Sequence, residues 1–278
     1  MPIIRPEPTP PEPPEPQEPH RAREVAESFG TDPERYDRAR PRYPEALVRA
    51  ITATLPGPDV LDAGCGTGVS ARPFQAAGCR VLGVEPDTRM AEWARRHGTE
   101  VEVAEFESWD AAGRSFDAVV SGQAWHWVDP DAGAAKAAGI LRPGGRLAVF
   151  WNAARPPQAL AEAFDAVYRR VLPDFLARAQ WAATGAQPYE AMCDRAADGI
   201  RDSGAFGAPE RWRFDWERTY TREEWLDQVP TTGGHTRLAP EDLERVLEGV
   251  GAAVDAFGGA FTMPYTAVVV TADRTAAG

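Results

Sequence analysis

The stretch Val60-Leu61-Asp62-Ala63-Gly64-Cys65-Gly66-Thr67-Gly68 constrains this chain more than any other. A short apolar run of strand type leads into three glycines at alternate positions, and Val69-Ser70-Ala71-Arg72 then opens a helical pattern. A strand that ends in a glycine-rich turn at a helix N-terminus is where open α/β sheets bind nucleotide-like ligands. Glycine is required there because the backbone bends sharply and approaches the ligand with no Cβ in between.

Spacing narrows the ligand. Gly64, Gly66 and Gly68 read G-x-G-x-G, which differs from the dinucleotide pattern G-x-G-x-x-G, and no Gly-Lys-Ser/Thr follows as a phosphate loop requires. The next strand-like run, Arg80-Val81-Leu82-Gly83-Val84-Glu85, ends in an acid 21 residues beyond Gly64. That is the distance expected between a glycine turn and a ribose-binding carboxylate, so Glu85 is read as the acceptor for two ribose hydroxyls.

Strand patterns at 59–62, 80–84, 100–104, 116–121 and 146–151 alternate with helical patterns at 69–77, 86–98 and 129–141, after two helices at 32–40 and 44–54. Regular alternation with apolar strands predicts a parallel, doubly wound, Rossmann-like α/β sheet. From 153 to 208 the chain becomes Ala-, Arg- and aromatic-rich and helical (159–171, 175–183, 189–201), and is expected to form a lid over the substrate. A strand at 211–220, helices at 222–228 and 240–254, and a strand at 261–271 return the chain to the sheet. The expected division is a disordered Pro/Glu-rich tail at 1–21, a nucleotide-binding core at 22–152, a helical insertion at 153–208 and the rest of the sheet at 209–278.

A net charge of −12 argues against nucleic acid as the partner, since phosphate binding needs a basic face. No apolar run reaches the ~20 residues of a membrane span and no secretory signal pattern is present, so a soluble cytoplasmic protein without membrane attachment is expected. Cys65, Cys79 and Cys193 lack metal-ligand spacing and are read as reduced, with no metal site.

Four blocks together resemble the class I S-adenosylmethionine (SAM)-dependent methyltransferases, in particular the small-molecule subgroup of type 11 and trans-aconitate-methyltransferase-like proteins. They are the glycine block at 60–68, Gly83-Val84-Glu85-Pro86, Phe116-Asp117-Ala118-Val119 and Leu141-Arg142-Pro143-Gly144-Gly145-Arg146-Leu147. Tyr36-Asp37-Arg38-Ala39-Arg40-Pro41-Arg42-Tyr43-Pro44 and Gln123-Ala124-Trp125-His126-Trp127 resemble the same subgroup. The resemblance covers about 29–152 and is loose beyond it. It implies a seven-stranded sheet whose last strand is antiparallel. It also implies SAM as cofactor and S-adenosylhomocysteine as product, with Asp62, Gly64, Gly66 and Gly68 at the methionine end and Glu85 on the ribose. Pro86, Glu105 and Phe106 would flank the adenine, although the usual residue at 105 is Asp. Gln123 would pass beneath the sulfonium, and Tyr36 and Arg40 would close over the cofactor carboxylate.

Methyl transfer from such a cofactor needs alignment and exclusion of water, and needs a base only when the acceptor is poorly ionised. Histidine is the natural base at neutral pH, and His126 and His235 are the two placed for it; Tyr43, beside the entry helix, is a further candidate for the acceptor pocket. Trp125, Trp127, Trp151, Trp181, Tyr189, Trp216 and Trp225 fall where walls of an acceptor pocket would stand. They suit a small aromatic or apolar acceptor methylated on O, N or an indole-type carbon, as in secondary-metabolite tailoring. Carboxyl O-methylation of a small acid, or SAM binding without transfer, are the alternatives. A monomer or homodimer is expected.

Overall fold

In the computed structural model, which describes residues 28–173, 187–232 and 234–275, seven strands form one sheet. They are β1 (Asp59–Ala63), β2 (Arg80–Glu85), β3 (Glu100–Val103), β4 (Phe116–Gly122), β5 (Leu141–Ala154), β6 (Glu210–Thr221) and β7 (Ala260–Asp273). Their order is β3-β2-β1-β4-β5-β7-β6. The β1–β2, β1–β4, β2–β3 and β4–β5 pairs are parallel, whereas β7 runs antiparallel to both β5 and β6. This is the mostly parallel, doubly wound sheet with an antiparallel last strand that the sequence predicts. The order reverses between β1 and β4, which opens a crevice at their carboxyl ends.

The helices are α1 (Pro33–Ala39), α2 (Glu45–Thr52), α3 (Ala71–Ala76), α4 (Thr88–Arg96), α5 (Pro130–Ile140), α6 (Gln158–Val171), α7 (Gln187–Asp202), α8 (Arg222–Gln228) and α9 (Pro240–Ala256). Strand residues alternate between two cores, as a period of two requires. Val60, Val81, Val120 and Phe150 pack with Leu47 and Ile51 of α2 and Phe74 of α3. Leu61, Leu82, Val119 and Val149 pack with Ile140 of α5 and Ala196 and Ile200 of α7. Burying one such large aliphatic side chain contributes about 1.5–3 kcal/mol, so both sheet faces are firmly covered.

The segment expected as a lid is divided between two places. Helix α7 lies on the sheet: Cys193, Ala196, Ala197 and Ile200 recur at helical spacing and face the first core. Helix α6 instead joins α8 and α9 in a cluster of Phe164, Tyr168, Trp225, Val246 and Val250 with Tyr220, Phe261 and Met263. That cluster stands beyond the end of β5, whose last pair with β7 is Ala154 with Tyr265, while β6 pairs on to Ala260. The helix expected at 175–183 lies outside the described residues, as do the whole proline-rich tail at 1–21 and Trp181. Of the remaining expected wall residues, Trp125, Trp151 and Trp225 are buried within packed clusters, so they hold the fold together.

Helix α1 is fastened at both sides. Its N-cap Asp32 accepts from the Arg35 N–H at 3.0 Å, and Pro33 stands at its first position. Asp37 accepts from Arg72 Nη2 at 2.5 Å while Arg72 Nη1 donates to the Thr67 carbonyl at 2.9 Å, tying α1 to the glycine turn. On the other side Arg38 makes two hydrogen bonds to Asp227 of α8, at 2.8 and 2.9 Å, and Arg35 adds one at 3.2 Å. The helix thereby bridges the crevice between the sheet and the α6–α8–α9 cluster.

Candidate active site

Glu85, the last residue of β2, is buried, and its two oxygens are shared between two turns. Oε2 accepts the Gly66 N–H at 2.9 Å and Oε1 accepts the Asp87 N–H at 2.9 Å. Burial raises its carboxyl to about 7 even though both N–H groups favour the charged form. Asp62, at the end of β1, is 0% exposed; the Ser70 hydroxyl donates to Oδ2 at 2.6 Å, and Oδ1 has no partner. Burial raises this carboxyl to about 7 as well. A desolvated oxygen without a donor costs about 1–3 kcal/mol or more. The site is therefore built to receive an external donor such as an ammonium or hydroxyl group.

The three glycines have φ of +70°, +55° and +85° at Gly64, Gly66 and Gly68. At Gly64 a Cβ would stand 2.6 Å from the Ala124 Cβ, so the turn is in close contact with the loop that follows β4. That loop begins at Gln123, itself left-handed with φ +57°. A non-glycine residue there costs on the order of 1–3 kcal/mol and persists only where neighbours enforce it. Here the Gln123 N–H donates to the Phe150 carbonyl at 2.9 Å, and its Oε1 accepts the Asn152 N–H at 2.7 Å. With the amide oxygen so engaged, the amide nitrogen is left to bond the Tyr189 hydroxyl. Asn152 also donates from Nδ2 to the Arg42 carbonyl at 3.1 Å and accepts the Trp216 indole N–H at 3.1 Å. It joins the segment after α1 to the loop after β4, a role with no signature in the local sequence.

The N-terminal residues cover the crevice. The Arg40 guanidinium stacks 4.7 Å from the Tyr36 ring centroid and 5.7 Å from that of Phe29, and its Nε is buried without a partner. Tyr43 packs edge-on against Phe150 with centroids 4.7 Å apart, and its hydroxyl rests over Gly122, where a Cβ would come within 2.7 Å of it. Burial, then the neighbouring Tyr36 and Asp62, holds the Tyr43 phenol well above its ordinary value. It is a donor and a poor base. Pro86 is exposed immediately after Glu85, and Glu105 is half-buried. The Phe106 ring turns inward against Trp125 with centroids 5.9 Å apart, which leaves only its backbone for a ligand.

Both expected bases require correction. His235 is 1% exposed; its Nδ1–H donates to the Thr232 carbonyl, and its Nε2 accepts the Tyr168 hydroxyl at 2.7 Å. A carbonyl only accepts, so the proton sits on Nδ1 and the Nε2 lone pair is already used. His126 accepts the Trp151 indole N–H on Nδ1 at 3.2 Å, which places its proton on Nε2. Burial, followed by Arg195 and Arg40, lowers His126 to about 4, and burial lowers His235 to about 4. Both are neutral at pH 7, and each has its imidazole lone pair committed.

Among the described residues no group of His, Cys, Asp and Glu side chains is arranged to hold a metal, and the three cysteines are free thiols. No helix among them is long and apolar enough to cross a membrane.

Residues 61–149 match a family model described as a methyltransferase domain. An uncharacterized methyltransferase of Mycobacterium tuberculosis is 38% identical over 134 residues, covering 47% of this chain and 54% of that protein. A malonyl-[acyl-carrier protein] O-methyltransferase of Hahella chejuensis is 34% identical over 133 residues, covering 45% and 48%. The chain spans about half the length of the curated relatives it matches. A solved structure from Anaeromyxobacter dehalogenans, described as a type II methyltransferase, aligns with a TM-score of 0.59 at 23% identity over 85% of this chain and 97% of that one. Residues 61–149 thus carry the sequence similarity to methyltransferase domains, and the chain shares its fold with that solved structure.

Proposed function

We propose that the chain binds S-adenosylmethionine in the crevice at the ends of β1, β2 and β4 and directs its methyl group to a small molecule. The observation that carries this reading is the pair of buried carboxylates. Glu85 is held open by two backbone N–H groups at ribose-binding distance from the turn, and the Asp62 Oδ1 waits for a donor. An adenosine ribose and an amino-acid ammonium are the donors that fit. Gly64, Gly66 and Gly68 let the backbone approach, Pro86, Glu105 and the Phe106 backbone flank the base, Gln123 lies under the reacting end, and Tyr36 and Arg40 close over the carboxylate.

When bound, the cofactor supplies a methyl group on a sulfonium that departs as a neutral thioether. The chain's own contribution is positioning and exclusion of water. Helix α1, clamped by Arg72 and Asp227, forms the cover. Phe29, Tyr36 and Trp127 present aromatic faces beside Arg40, which suits an acceptor with a flat or apolar body. Formation of S-adenosylhomocysteine on mixing protein, cofactor and a panel of small acceptors tests the reading. Binding without product on any acceptor would reduce it to cofactor binding alone.

Two smaller predictions follow from the geometry. In the ligand-free protein Asp62 and Glu85 titrate at about 7, above their ordinary values of 3.8 and 4.5. The folded chain therefore holds protons that the unfolded chain has lost, and the stability these groups confer at low pH is lost as pH rises from about 4 to about 7. Because the cationic, hydroxyl-bearing cofactor favours the ionised forms, affinity should rise roughly tenfold per group between pH 6 and pH 8. Calorimetry at pH 6.5 in buffers of different ionisation enthalpy should show protons released on binding; proton uptake would contradict the assignment. Asp227→Ala should weaken cofactor binding by about 0.2–1 kcal/mol, the worth of exposed ion pairs, with the melting temperature nearly unchanged. A drop in melting temperature without a change in affinity would show that the clamp serves only the fold.

A further inference from the structure

Strand β6 forms one edge of the sheet: it stands last in the strand order, and its register with β7 runs unbroken from Glu210 to Thr221. It contains no proline, lysine or bulge, the devices that commonly blunt an edge. A long, regular edge presents a row of main-chain N–H and C=O groups outward as a template for another strand. Its side chains alternate between the two faces. Trp212, Phe214 and Trp216 are half-buried on the face that packs with Tyr43 and Phe150, whereas Arg211, Arg213, Asp215 and Glu217 are exposed on the other.

The order of the charges decides what can pair there. Residues 210–218 read E-R-W-R-F-D-W-E-R, which is self-complementary about Phe214. When a strand pairs antiparallel with its own copy about a two-fold axis perpendicular to the sheet, residues equally spaced before and after the axis face each other on the same face. With the axis at Phe214, Arg213 faces Asp215, Arg211 faces Glu217 and Glu210 faces Arg218, each pair formed twice, and Trp212 faces Trp216. Moving the axis by one residue sets Arg213 or Asp215 against its own copy. Moving it by two sets Arg211 against Arg213, or Asp215 against Glu217. Like charges directly opposite are destabilising, so one register is specified along the middle of the strand. The three arginines and three carboxylates of 210–218 also leave this edge locally neutral on a chain of net charge −12. Arg211 already meets Asp194 at 2.5 Å, and Asp215 accepts the Thr266 hydroxyl at 2.6 Å; both side chains stay exposed, so each can take a second partner.

We propose that two copies of this chain associate through β6, antiparallel about an axis at Phe214, and so join their sheets into one. The second copy covers the half-buried rings of Trp212, Phe214 and Trp216 and pairs the outward main-chain groups of the edge. The charged pairs on the opposite face fix the register and reject a strand of different sequence.

Sedimentation velocity of the full chain over a range of concentrations tests this. The wild type should pass from one chain to two as concentration rises, and stop at two because a two-fold contact closes on itself. Arg213→Glu sets a carboxylate against Asp215, and Asp215→Arg sets a guanidinium against Arg213. Each should raise the dissociation constant roughly tenfold or more. An equimolar mixture of the two variants should regain association near the wild-type level, because every altered position then faces its complement across the axis. A folding defect could not produce that rescue. Arg211→Glu and Glu217→Arg, two residues further from the axis, should repeat the pattern, so the result does not hang on the inner pair alone. A wild type that stays monomeric at every concentration would overturn the proposal and leave the edge to a strand of another protein. Dimers indifferent to the reversals, or mixtures that associate no better than the single variants, would overturn it too, since the contact would then lie elsewhere.

Discussion

Glu85→Ala is expected to lower affinity for S-adenosylhomocysteine by about a hundredfold, with little loss of fold stability. Hydrogen bonds to a charged group contribute about 1.5–3 kcal/mol each, and the substitution removes the acceptor for the ribose hydroxyls together with the group that fixes the glycine turn. Gly66 N–H and Asp87 N–H, now held at 2.9 Å, would lose their partner, so the turn would be less well placed for the rest of the ligand. Stability should change little because two effects oppose each other. Two backbone donors are left unpaired, but a carboxylate that burial has raised to about 7 is no longer desolvated. Glu85→Gln should fall between, since one amide oxygen can serve one N–H while the amide nitrogen repels the other. Titration calorimetry and thermal melts measure both quantities; an Ala variant that binds like the wild type would refute the ribose assignment.

Gly64→Ala should be nearly as damaging and by a different route. A left-handed conformation costs a non-glycine residue roughly 1–2 kcal/mol. The new methyl would also meet the Ala124 Cβ at 2.6 Å, a separation that real Cβ atoms do not show. The turn and the loop after β4 would have to part, moving Gln123 and Glu85 relative to each other. Expected outcomes are a melting temperature lower by several degrees and affinity for S-adenosylhomocysteine down more than tenfold. Ala124→Gly in the same chain removes the opposing methyl and should recover most of the binding, leaving only the backbone term. A silent single variant, or a double variant no better than the single, would show that this contact does not set the turn.

What the sequence revealed and what it hid divide by the range of the interaction. The glycine turn, Glu85 and the strands up to β5 are local patterns, and the sheet follows from their alternation. The place of α7 was harder to read, because Cys193, Ala196, Ala197 and Ile200 are small side chains in an Ala-rich segment. Their i, i+3, i+4, i+7 spacing is the signal that marks α7 as a sheet-covering helix. His235 sits in a glycine-bearing segment that suggests an open loop, yet it is enclosed by the hydroxyl of Tyr168, 67 residues earlier. The tautomer of His126 depends on Trp151, 25 residues later. Asn152 and Asp227 act wholly through such distant partners, as Arg72 does in its bond to Asp37, and no residue type or spacing near them announces it.

Calorimetric titration of the wild-type chain with S-adenosylhomocysteine reads out whether the crevice around Glu85 and Asp62 holds the cofactor. Saturable binding at one site per chain is expected, with protons released at pH 6.5 and about a hundredfold loss of affinity with Glu85→Ala. Absence of binding by the wild type, or binding that Glu85→Ala leaves untouched, would contradict that reading of the crevice.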